Sequence, residues 1–93
     1  MGKLKDLQQV KAMLDKVDAG IADEEGAVLE YTEMSKLAGS LGFHGPAHIL
    51  TLMAADEARH KEHLETMRKM IAAEELHHHQ HFWALGSHAD PRD

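Results

Sequence analysis

The chain has 93 residues, 16 acidic against 10 basic, with nine histidines, six methionines and no cysteine. That length sets a single domain near the size where one core is marginal and partner chains or metals supply the remaining stability. A net charge of -6 repels phosphate backbones and excludes nucleic acid as the expected partner, and without cysteine there are no disulfides, thiol nucleophiles or Cys-held zinc and iron sites.

The first element is a long amphipathic helix. Leu7, Val10, Leu14, Val17, Ile21, Glu24, Val28, Tyr31, Ser35 and Ala38 follow alternating steps of three and four, the seam of a helix packed nearly antiparallel or parallel to partners. The pattern predicts a helix from about Lys3 to Gly39, with Gly20 the place where it would kink or restart. Because the opening residues join this amphipathic stretch and not an apolar run, neither a signal peptide nor a membrane span is expected, and the location reads as cytoplasmic.

Residues 40–45 form the expected turn, with glycines at the end of one pattern and Pro46 at the start of the next. A second helix is predicted from about Pro46 to Trp83, its last turns a C-terminal extension across the histidine cluster His77–His81. The tail, residues 87–93, has nothing to bury and reads as disordered. Ile49, Met53, Leu64, Met67 and Ile71 make one stripe of this helix, and Glu57 and His60, three apart, fall on it.

A carboxylate and an imidazole on a core stripe need a partner that offsets their desolvation, and a metal ion serves both. With the turn centred near residues 43 and 44, Glu24 stands opposite about residue 63, so Glu24, Glu57 and His60 meet at one level. The fold class is therefore all-α: a two-helix antiparallel hairpin that leaves a face uncovered and dimerises into a four-helix bundle. Two copies supply four glutamates and two histidines, the ligand inventory of di-iron carboxylate bundles.

The stretch Glu24-Glu25-Gly-Ala-Val-Leu-Glu-Tyr31 together with Asp56-Glu57-Ala-Arg-His60 resembles the metal-site signature of the ferritin-like and rubrerythrin-like superfamily. In its length and its single copy of each motif the chain is most similar to the encapsulated ferritins. The resemblance covers roughly residues 20–70. It implies a di-iron ferroxidase centre between two chains, with Glu24 and His60 as terminal ligands, Glu57 bridging and Tyr31 beside the irons, so that Glu24, Glu57, His60 and Tyr31 are the implied catalytic residues. It implies also a homodimer, rings of dimers, and packaging inside an encapsulin-type shell protein, an encapsulin nanocompartment, through a C-terminal peptide. Ala84-Leu-Gly-Ser-His88 matches only part of such a peptide. A rubrerythrin would carry in addition a cysteine-bound iron, which this chain cannot make.

Other residues weigh in less. Glu25 stands one step off the seam and is expected to face solvent or to support the ligands from beside the site, and not to be a ligand itself. His63 lies one turn beyond His60, as an alternative ligand or a neighbour of the site. His44 and His48 bracket Pro46 at the turn, where a solvated end is expected over a zinc site, and the methionines are read as gap-filling apolar residues rather than copper ligands. Phe82 and Trp83 have no place in the bundle and point to contacts with another subunit or to a fold back over the helix ends. Two other functions fit the same residues: a bundle in which zinc or manganese only links the hairpins, and a helical interaction module without metal.

Overall fold

The computed structural model describes the backbone of residues 6–86 and the side chains of residues 6–75. Two helices fill that range, α1 over Leu7–Ser40 and α2 over His44–Gly86, and they pack against each other with no strand among the described residues. Asp6 caps α1, its carboxylate accepting from the Gln8 backbone N–H at 2.8 Å, so this helix starts four residues later than the seam suggested, and Lys3 to Lys5 lie outside the described residues. The helix runs through Gly20 unbroken.

The turn is tighter than expected. Gly42 takes φ +84°, the left-handed conformation that glycine adopts without a Cβ penalty. Around it the Phe43 N–H donates to Ala38 O at 2.8 Å and the Gly42 N–H to Gly39 O at 3.1 Å, the paired bonds of a Schellman ending. Gly42, and not Gly39, is thus the terminating glycine. Pro46 sits at the third position of α2 and not the first, still within the turn whose N–H groups have no helical acceptor. The backbone of α2 stays helical to Gly86, three residues past the predicted Trp83; the side chains of the histidine cluster, Phe82 and Trp83 lie outside the described residues, as does the tail.

Polar contacts fix the register. Arg68 Nε donates to Asp18 at 2.6 Å, Lys61 Nζ meets Glu25 at 2.9 Å, and Ser35 Oγ donates to Ala47 O at 2.7 Å while sitting 3.0 Å from Thr51 Oγ1. Between them Leu64 fills the space over Gly20, where an added Cβ would come within 3.1 Å of its Cδ1.

One expectation about packing is corrected. The side of α2 that faces α1 carries Ala47, Leu50, Ala54, Ala58, Lys61 and Leu64, all half-buried, whereas Ile49, Met53 and Met67 are exposed. The alanines permit close approach of the two helices, and the larger side chains are displaced to the flank. Leu7, placed on the α1 seam, is likewise 74% exposed. Among the described residues only Val17 is buried. A pair of helices has no room for an enclosed core, so each helix keeps a face without a partner.

Candidate metal centre

Glu24 occupies the middle of α1, and Glu57 and His60 occupy the matching level of α2. One donor atom from each can be chosen so that all lie within 4.8 Å of one another. His60 Nδ1 is 3.1 Å from Glu57 Oε1 and 3.8 Å from Glu24 Oε2. The two glutamates are drawn in, with 22% and 24% of their side chains exposed, while His60 is 51% exposed.

Glu24 Oε2 is buried without a hydrogen-bond partner. An orphaned carboxylate oxygen is costly to keep. Loss of solvent, and then the nearby charge of Glu57, push the Glu24 pKa above its ordinary value, with His60 opposing. The donor set is oxygen and imidazole, suited to iron, manganese or zinc, and the orphaned oxygen is the kind of atom that a cation would satisfy. The residues present fit a metal ion.

The surroundings have two unlike sides. At about 100° per residue, Met13, Ala27, Tyr31, Met34 and Ala38 of α1 fall on the same side of the hairpin as Ile49, Met53, His60, Leu64 and Met67 of α2. Of the Glu24, Glu57 and His60 group, His60 opens to that apolar side. The ion pairs Asp18 to Arg68 and Glu25 to Lys61 flank the opposite edge. The Arg68 guanidinium holds the Asp18 carboxyl below its usual range, and the bond to Glu25 raises Lys61.

Of the residues singled out from the sequence, Glu24, Glu57 and His60 are brought together. Tyr31 lies two turns along α1, half-buried, and is not among the clustered donors. Glu25 faces away and is held by Lys61. His63 is exposed and stands outside the cluster. Lys61 was not anticipated. It is half-buried at the helix contact, four residues after Glu57, a spacing that puts it on the same face.

No family model matches the chain, and no curated protein or solved structure is similar to it at a significant level.

Proposed function

We propose that the chain is a ferroxidase whose centre is completed when two hairpins pair into a four-helix bundle, serving iron storage or detoxification. The observation that carries this reading is the cluster itself: two glutamates and a histidine converge, one carboxylate oxygen is buried and unsatisfied, and the half-exposed His60 borders an apolar side with exposed Ile49, Met53 and Met67. Three donors from one chain leave a metal under-ligated. A second copy doubles the set to four glutamates and two histidines, which is enough for two irons. The similarity of the Glu24 to Tyr31 and Asp56 to His60 stretches to encapsulated ferritins supports the same reading, including higher assembly from dimers and storage of the ferric product in a shell protein.

Iron is here the substrate: two Fe(II) ions lose one electron each, and O₂ with two protons leaves as hydrogen peroxide, or hydrogen peroxide with two protons leaves as two waters. Glu57, 3.1 Å from His60 Nδ1, would bridge the two ions, the role the resemblance implies for it. Glu24 would bind as carboxylate, and the loss of solvent that raises its pKa makes protons a stronger competitor for it. His60 offers Nδ1 to the site and its half-exposed ring leaves a path for exchange with solvent. Tyr31 lines the approach along α1.

The experiment is a linkage measurement. If each chain supplies half of the ligands, the metal binds the dimer far better than the monomer and strengthens pairing by the same differential affinity. Ligation needs ionised carboxylates and neutral imidazole, so protons compete, and the upward shift at Glu24 moves that competition toward neutral pH. Sedimentation of dilute protein at neutral and mildly acidic pH, with and without anaerobic Fe(II), is expected to show iron-promoted pairing at neutral pH that acid reverses. On admission of air, ferric absorbance and O₂ uptake follow. An association constant equal in all four samples rejects the inter-chain centre, and tight metal binding without O₂ uptake reassigns it to a structural zinc or manganese link.

A further inference from the structure

We propose that the last turns of α2 carry a second transition-metal site, made by His77, His78 and His81 with Glu74 beside them. It takes a divalent ion of the zinc kind and fills independently of the Glu24, Glu57 and His60 group.

Four of the chain's nine histidines fall within residues 77–81, a stretch whose backbone is helical, since α2 continues to Gly86. A helix sorts such a run by face. At about 100° per residue, Glu74, His77, His78 and His81 share an arc of about 100°, whereas His79 stands about 140° from Glu74 and Gln80 about 120° from it on the other side. Residues three or four apart on a helix are neighbours, and two imidazoles four apart is the spacing by which metalloprotease helices present a pair to zinc. Within the run only His77 with His81 and His78 with His81 have such spacings, so His81 is common to both pairs. Exposed Glu74 stands three residues before His77 and four before His78, which adds a carboxylate to the same arc. Three imidazoles and one carboxylate make up the four donors of a tetrahedral zinc site.

Position and chemistry both separate this site from the central one. His78 comes 18 residues after His60, about 27 Å along the helix axis, too far for one ion to reach both. In the register that pairs Asp18 with Arg68, His81 comes beyond the level of Asp6, the cap of α1. The central group needs both helices, whereas the second set is placed by α2 alone. Its donors are also the inverse of the centre's, three imidazoles to one carboxylate in place of one imidazole to two carboxylates. Imidazole suits zinc, nickel and copper, and carboxylate oxygen suits harder ions, so zinc is expected to fill the extension before the oxygen-rich centre.

Zinc titration of the full-length chain against a competing chromophoric chelator tests this. Glutamine is at least as good a helix former as histidine, so His81→Gln and His79→Gln each remove one imidazole from the same run and keep the helix. The centre and the pair His44 and His48 are unaltered in all three chains, so any difference in zinc bound belongs to the extension. His81→Gln is expected to weaken zinc binding there by about tenfold or more, the lower end of what even loss of a supporting group costs a metal site, and His79→Gln to bind as the unsubstituted chain does. Because only helical backbone brings the imidazoles to one face, bound zinc stabilises that backbone. Amide hydrogen exchange over residues 77–84 is therefore expected to slow with zinc in the unsubstituted chain and in His79→Gln, and not in His81→Gln. Equal zinc binding by the unsubstituted chain and His81→Gln overturns the site. A loss in His79→Gln as large as that in His81→Gln overturns it too, leaving an adventitious ion only on a histidine-rich run.

Discussion

Glu24, Glu57 and His60 share a small volume, yet they are not equivalent. Glu57 and His60 lie one turn apart on the same helix and touch each other at 3.1 Å, whereas Glu24 arrives from α1 and brings the buried oxygen. Replacing Glu57 or His60 by alanine removes a ligand and is expected to reduce iron oxidation at or beyond the roughly 10- to 100-fold that follows loss of an outer-shell partner, with helical content by circular dichroism nearly unchanged. Glu25→Ala breaks only the pair with half-buried Lys61 and is expected to keep most of the rate. Stopped-flow iron oxidation compares these three with Glu24→Ala. A loss in Glu25→Ala equal to that in Glu24→Ala would mean that α1 is rotated by one residue in the working assembly.

At the scale of the helices, glycine separates local propensity from packing. Nothing lies within 4 Å of a Cβ added at Gly26, while at Gly20 the added atom would press on Leu64 at 3.1 Å. Gly26→Ala therefore gains nearly the full helix-propensity difference of about 0.8 to 1 kcal/mol. Gly20→Ala gains less, because the half-buried Leu64 must yield by a few tenths of an ångström. Urea unfolding of the two variants measures the difference. A larger gain at Gly20 than at Gly26 would show that α2 does not sit over Gly20 as described.

For the whole molecule, the unequal helix lengths matter. Set against α1 in the register that pairs Asp18 with Arg68, roughly the last two turns of α2 pass beyond Asp6 and have no counterpart in α1. The sequence places Phe82 and Trp83 there, apolar side chains for which a two-hairpin bundle has no use. Removing residues 77–93 keeps, among the described side chains, every α2 residue that faces α1, and it keeps the Glu24–Glu57–His60 group. The truncated chain is expected to form dimers that still oxidise iron, while losing any larger assembly that the full chain shows by sedimentation. Large particles persisting after truncation place the contacts between dimers elsewhere, with Leu41 and Phe43 at the turn, 62% and 58% exposed, the next surface to test.

Sequence alone determined the two helices, the break between them and the meeting of Glu24 with Glu57 and His60. Those features follow from periodicity, from glycine and proline at a break, and from the fixed rise per residue, which carries register along a helix once the turn is placed. The expected level of Glu24, opposite residue 63, falls within one turn of His60, and the 3.8 Å approach agrees. The tertiary structure alone decided which stripe of α2 faces α1. Periodicity marks Ile49, Met53 and Met67 as apolar, but close helix approach selects the smaller Ala47, Ala54 and Ala58, because two backbones cannot come together across bulky side chains. The large residues move to the flank, and with them His60 comes to lie half-exposed beside two glutamates drawn in toward the helix contact.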